Sequence, residues 1–492
     1  MDNGNGICFP YDVLLNILCR LPCRPLVRSR RVCRAWRALV DGHKLLLRYS
    51  FPRGVFPGIF TDNYGSDNES SFFAPPAPRS ERPRRARDGP IFRHPLFRHD
   101  WASVPDYCNG LLLLQNFSRD LYVCNPATMH YACLPQQPSN FSLFDEFFLA
   151  FDPAVSLHYE VFLLTREIQP DKDKVVLSTS VFSSQAKQWV SRQFVPQHCG
   201  PGNLYDAVTA PDASDVRRWN SAEYWRGSLY VHCWNNVVMI LRNSEQVYDM
   251  VPLPGKAYQD KKYVTLTTPL RRSVFASYET GVHYVAFEKY QLRIWILRES
   301  TDGQVGWMLT HEADLGPYGR QIDAYAYTDP KLEWEAVDSK KAPFNLFKAR
   351  NIEDMIYDEE DRQSDTCDDD VDDGGQDEEG DAQEDKDDQL KSEEGSDYSW
   401  DSDEDNFIDV DESAAQPEDY ENYLLLGLHP HKDVVLFLTP SQAVAAYHVM
   451  TSRIQYLGKH LVRDPWSFYG ANIAFPYRPC YVDALPAPKP AS

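Results

Sequence analysis

The chain has 492 residues, 43% hydrophobic and 13% aromatic, enough for a sizeable core in two or three domains or in one large all-β unit. Its net charge of -22 is uneven: residues 353–421 carry 33 Asp and Glu against 3 Lys and Arg, leaving 47 basic against 39 acidic residues elsewhere. One segment makes the chain acidic, and the rest is mildly basic. No run reaches the roughly 18 apolar residues a bilayer span needs, and the start Met1-Asp2-Asn3-Gly4 does not read as a secretory leader. A protein of the nucleus, the cytoplasm or both is expected, with no membrane partner. The 11 cysteines are an odd number without a C-x-x-C pair, which suits buried reduced thiols rather than disulfides or zinc.

The first element is expected between Pro10 and Pro22, where Leu14, Ile17, Leu18 and Leu21 recur at helical spacing and give about three turns. Pro25 suits the first turn of a second short helix. Val32, Trp36, Leu39 and Val40 define a third, with Gly42 as its stop. Three short helices in roughly 40 residues cannot hide all these side chains among themselves. Part of the apolar surface is therefore expected to belong to a partner.

The order Pro10, Asp12, Leu14, Ile17-Leu18, Arg20-Leu21-Pro22, Leu26, Arg28, Val32-Cys33, Trp36 resembles the F-box, with Phe9 in place of the usual Leu and Pro25 where Ser is common. The resemblance implies docking on the Skp adaptor of an SCF-type ubiquitin ligase, and through it on the cullin and RING subunit. The residues it implies for that contact are Pro10, Leu14, Ile17, Leu18, Leu21, Pro22, Leu26, Val32, Cys33 and Trp36. A rival is a nucleic-acid-binding helical module, since Arg24, Arg28 and Arg31 share one face and Arg30, Arg34 and Arg37 another. These positions lack the Asn or Gln that read base edges, so nucleic acid is not the expected partner.

Residues 49–99 are rich in Pro, Ser and Arg, including Arg79, Arg82, Arg84, Arg85 and Arg87, and read as a linker with an ordered piece near Phe51 to Phe60. From Trp101 the texture changes to short apolar runs between turn signals: Asn109-Gly110 before Leu111 to Leu114, Leu121 to Cys124 before Asn125-Pro126, and Phe147 to Phe151 before Asp152-Pro153. Turns at Ser183 to Gln188 and Ser300 to Gly306 each lead into a Trp-bearing strand, at Trp189 and Trp307. This irregular recurrence suggests blades about an axis, though their number is not fixed.

Cys108-Asn109-Gly110-Leu111, Asn125-Pro126-Ala127-Thr128, Leu134-Pro135, Leu229-Tyr230-Val231 and Leu292-Arg293-Ile294-Trp295 resemble the F-box-associated, kelch-like β-propeller of plant F-box proteins. The later runs Leu426 to Lys432, Ala445 to His448 and Phe475 to Tyr481 are similar to the form seen in grass families. The fold class expected is therefore α+β multidomain: a three-helix F-box at 5–48, the linker at 49–99, and the main part of an all-β propeller-like domain at 100–345. A long disordered acidic insertion follows at 346–421, then closing strands at 422–486 and a tail at 487–492. Like-charge repulsion suits an extended tract, and loop closure costs little extra with length.

Within the tract, Asp401, Asp403, Asp405, Asp409 and Glu412 occupy positions 1, 3, 5, 9 and 12 of a calcium-loop look-alike. Asn406 replaces the required glycine and no amphipathic helix flanks the loop, so neither metal nor cofactor is expected. The chain lacks G-x-S-x-G, Walker, G-x-G-x-x-G and H-E-x-x-H motifs. The resemblance implies a non-catalytic substrate receptor that presents an unidentified protein. Two alternatives stand beside it: a non-proteolytic module recruiting basic nuclear proteins, and a propeller enzyme or glycan binder, which needs a deep axial pocket with fixed carboxylates.

Overall fold

A computed structural model describes 11–21 and parts of 29–45, most of 56–63, 71–74, 101–137, 145–165, 175–198, 219–255, 273–325, 334–338, 407–408, 423–459 and 471–480, with 204, 208, 484 and 485. The chain divides into two compact units, whose described residues run from Tyr11 to Leu45 and from Phe56 onward. In the first, α1 spans Tyr11–Arg20. Among its described residues, the buried apolar side chains are Leu14, Leu18, Leu39, Val40 and Leu45. The Tyr11 hydroxyl lies 2.7 Å from His43 Nε2, tying the start of α1 to the end of the unit.

The second unit is built of antiparallel four-stranded blades. Strands β1 (Ile59–Asn63) and β2 (Ser71–Ala74) come first. A complete blade follows in β3 (Trp101–Cys108), β4 (Leu111–Asn116), β5 (Leu121–Asn125) and β6 (His130–Cys133). The next is β7 (Glu146–Ala150), β8 (Glu160–Leu164), β9 (Leu177–Ser183) and β10 (Gln188–Pro196). It is joined by a short parallel bridge from β10 to β14 of the blade β11 (Trp219–Trp225), β12 (Ser228–Cys233), β13 (Val237–Arg242) and β14 (Val247–Pro252). Then come β15 (Ser273–Tyr278), β16 (Gly281–Glu288), β17 (Gln291–Glu299) and β18 (Val305–Asp314), followed by α2 (Gly319–Tyr325) and β19 (Glu335–Asp338). The last elements are β20 (Phe407–Ile408), β21 (Leu424–Leu428), β22 (Val434–Leu438), β23 (Ala443–His448), β24 (Arg453–Lys459) and β25 (Ala471–Pro476).

The described strands make six blades. Five are sequential meanders, and the sixth is composite, in the order β19-β2-β1-β25. The first strands of the meanders, β3, β7, β11, β15 and β21, form with β25 a closed ring in which each packs against the next. Because β25 pairs with β1, from Ile59 opposite Pro476 to Asp62 opposite Ile473, residues from both ends of the unit close the propeller. Six apolar cores fill the six spaces between blades; one sets Phe148, Phe162 and Val181 against Trp219, Val231 and Met239. Burial on both faces explains why these strands read as short continuous apolar runs rather than as alternating ones. The hairpin turns Asn109-Gly110 and Arg226-Gly227 have positive φ at both central residues, the type I′ geometry that matches strand twist.

Two sequence expectations need correction. Residues 49–99 are not a linker throughout, since β1 and β2 supply the two middle strands of the closing blade. Proline and arginine dominate that stretch and mask two short apolar segments. Likewise 346–421 is not disordered throughout: Phe407 and Ile408 pair with Gln455 and Ile454 at the edge of β24. Ile408 is buried among Ile454 and Tyr456, and the Arg453 guanidinium sits 3.9 Å above the Phe407 ring. The dense charge around this apolar pair hid it. The other residues of 341–422, and the arginine cluster at Arg79 to Arg87, lie outside the described residues.

Gly427 marks the tightest joint of the ring. Its φ is +140°, and a Cβ there would stand 2.4 Å from Pro476 Cδ on the closing strand. Gly427→Ala should destabilise the propeller by about 2 kcal/mol or more. Urea unfolding monitored by tryptophan fluorescence reads this; an unchanged midpoint would mean that β21 and β25 part without cost.

Candidate functional site

The helical unit offers an apolar surface. Leu14 and Leu18, four residues apart, point inward, and Leu18 is fully buried. Both are buried within the unit. Ile17 is 41% exposed and Val32 62%, and Cys33 is exposed too. Leu21 and Trp36 are half-buried. Two exposed residues join them that the sequence reading missed, Tyr11 at 59% and Val13 at 46%. The spacing of Val13 and Ile17, four apart on one face of α1, was the available signal. Pro10, Pro22 and Leu26 lie outside the described residues, as do Asp401, Asp403, Asp405, Asp409 and Glu412.

The propeller offers a second site, at the end of its axis where the inner strands finish. A cavity of about 80 Å³ opens there. Tyr107 to Gly110 reach it from the end of β3, Glu223 from β11, Phe275 to Tyr278 from β15, Leu428 to Pro430 from the end of β21, and Pro476 and Arg478 from β25 and beyond. Five of the six blades contribute. The Asn109-Gly110 turn is wedged against the chain after β25: a Cβ on Gly110 would lie 2.6 Å from Cys480 Cβ, and the Tyr477 hydroxyl donates to Gly110 O at 3.3 Å. Asn109 Nδ2 donates to Phe151 O at 2.7 Å, fixing the turn to the next blade.

Among the described residues that line the cavity, Glu223 is the one carboxylate. Protein surrounds it, yet it keeps a partial exposure to the cavity. Ser277 Oγ donates to Glu223 Oε1 at 2.5 Å. Burial raises its pKa from 4.5 to about 7; the hydrogen bonds from Ser277 and the charge of Arg478 offset part of that rise. Other groups here are held neutral. Burial, then the charges of Glu223 and Asp106, push the Cys108 thiol well above its ordinary value. Burial, then repulsion by the nearby basic groups, lowers His429 to about 3, and its Nδ1 accepts the backbone N–H of His431 and Lys432 at 3.1 and 3.0 Å. Tyr278 is pushed up by burial, and its hydroxyl donates to His429 O at 3.0 Å.

Of the late histidines, His429 and His448 are thus held inside the fold, His448 Nε2 lying 3.1 Å from Gln455 Oε1. His460 lies outside the described residues. Trp219, Trp295 and Trp334 are buried, while Trp189 and Trp307 are half-buried.

Two family models match the chain, one in each unit. Residues 7–48 match the F-box domain, and residues 93–326 match the family described as F-box protein At3g26010-like, beta-propeller. F-box protein At5g07610 of Arabidopsis thaliana is 24% identical over 341 residues, 65% of this chain and 75% of that protein. Two further proteins of that organism are similar over shorter stretches: putative F-box protein At5g42430, 27% identical over 33% of this chain and 40% of its own length, and F-box protein At5g49610, 31% identical over 28% and 35%. The chain thus spans three quarters of the first relative and well under half of the other two. Among solved structures, that of U3-55K is 9% identical and covers 73% of this chain and 81% of its own, with a TM-score of 0.28, too low to bear on the fold. The two matches give an F-box domain followed by the β-propeller of F-box proteins, and the relatives to which the chain is similar are Arabidopsis F-box proteins.

Proposed function

We propose that the chain is the substrate-recognition subunit of an SCF-type ubiquitin ligase, docking on the Skp adaptor through its helical unit and holding a protein substrate on its propeller. The observation that carries this reading is the exposed apolar set Tyr11, Val13, Ile17 and Val32 on a unit of only about 40 residues. Covering the exposed part of such side chains, about half of each, recovers roughly 1 kcal/mol apiece. Leu14 and Leu18 hold α1 against the rest of the unit, and Leu21 and Trp36 are half-buried. In the assembled ligase the cullin and RING subunit bring a charged conjugating enzyme close to whatever the propeller holds, so this subunit acts by proximity. It supplies no nucleophile.

The axial cavity supports recognition over hydrolysis. One lining carboxylate and a thiol held protonated do not make an acid–base pair or an activated nucleophile.

Ile17→Asp with Val32→Asp should abolish co-purification of the adaptor from the same source while leaving the thermal unfolding of the propeller unchanged. Leu21→Ala with Trp36→Ala should weaken docking by about 2 kcal/mol or more, the range of buried interface anchors. A folded Ile17→Asp/Val32→Asp protein that still retains the adaptor would overturn the assigned face.

A further inference from the structure

We propose that the axial cavity is the anchor point for a basic side chain, lysine or arginine, of a bound protein, with Glu223 as its counter-charge. The proposal rests on the receptor reading only for the protein nature of the ligand. Its geometry is independent of that reading.

Three observations point to a cation. Tyr107, Phe275 and Tyr278 line the cavity, Tyr107 with one face stacked on Phe475 and Phe275 with one on Trp307, and aromatic rings attract ammonium and guanidinium groups. Glu223 stands among them with Ser277 as its hydrogen-bond donor, leaving carboxyl capacity for a ligand. Carboxylates beyond the lining add negative charge: Asp106 on β3 and Asp152 after β7 act on Cys108 together with Glu223, and Asp433 before β22 acts on Tyr278. Against these stand Arg478, which itself lines the cavity and acts on Glu223, and Lys432, after β21. His429 and the Cys108 thiol are neutral and add no charge near pH 7. A volume of about 80 Å³ admits the end of one long side chain and no folded segment. The walls come from five blades, so their positions are fixed before anything binds, which spares the ligand part of the ordering cost.

The size of the cavity makes it an anchor and not a whole interface. One long side chain would enter, and the peptide around it would lie across the turns that rim the opening. Specificity between lysine and arginine then depends on how the tip meets Glu223 and Ser277, while discrimination against neutral residues follows from leaving that carboxylate unpaired.

The test uses the full chain and a fluorescein-labelled Gly-Ser peptide with one central lysine, its norleucine counterpart, and free n-butylamine as competitor, read by polarisation and NMR line broadening. The lysine peptide should bind, the norleucine peptide should bind at least tenfold more weakly, and Glu223→Gln should cost the lysine peptide at least tenfold. Gln can still accept from Ser277, so this variant should keep its unfolding temperature. Should it misfold, the pH profile of the unaltered protein decides instead. A carboxyl titrating near pH 7 is ionised about tenfold more at pH 8 than at pH 6, so binding should strengthen by that factor with rising pH. Equal binding of the norleucine peptide, no effect of Glu223→Gln, a flat pH profile, or no binding would each overturn the proposal. Competition by n-butylamine at the peptide's own affinity would make this a small-amine site and overturn it too. The Ile17→Asp/Val32→Asp protein should bind the peptide normally, so failure of adaptor docking and failure of the cavity proposal are read separately.

Discussion

The pairing of β25 with β1 is the constraint on which the propeller depends. Without it the inner ring has five members, the spaces on either side of the composite blade lose one wall, and Phe60, Phe475 and Tyr477 lose the core they share with Val104, Leu112 and Leu114. The consequences reach the axis. Pro476 and Arg478 line the cavity because β25 ends there, and the wedge of Gly110 against Cys480 couples the first complete blade to the last residues of the closing one. Asn125 Nδ2 adds a buried hydrogen bond to Cys480 O at 2.8 Å. The closing joint and the candidate binding site are made by the same residues.

Electrostatics inside the propeller separate structural charge from available charge. Arg242 and Asp249 form a close ion pair on neighbouring strands, with Asp249 fully buried. Glu160 is held by Arg192 at 2.5 Å and by Asn243 Nδ2 at 2.6 Å, a link between adjacent blades. Such fully engaged groups specify how blades meet. Glu223 differs in kind: its donor is a neutral serine, it keeps contact with the cavity, and it sits where an incoming group can reach it.

How much of this was legible follows from where each residue is buried. Strands β4, β5 and β7 could be read because their apolar residues come in unbroken runs bounded by turns. The closing blade could not, since its four strands come from three distant parts of the chain and pairing across several hundred residues leaves no local mark. The axial site was silent for the same reason: Glu223, Ser277 and Arg478 are ordinary residues in sequence and become a site only through the ring. In the helical unit the heptad-like stripe was seen as one face, but burial divides it, with Leu14 and Leu18 inside and Ile17 out. Periodicity shows that a helix has an apolar side; it does not tell how much of that side its own unit consumes.

The composite blade also sets a clock. About 400 residues separate Asn63 at the end of β1 from Ala471 at the start of β25, and a ribosome adds roughly 5–20 residues per second. For tens of seconds the nascent chain holds a finished helical unit and a set of blades that cannot yet form a ring. During that interval β1 presents an unpaired edge, the kind of surface that recruits chaperones or neighbouring nascent chains. Synthesis of β25 therefore separates two biochemical lives of the same polypeptide, one open and one closed.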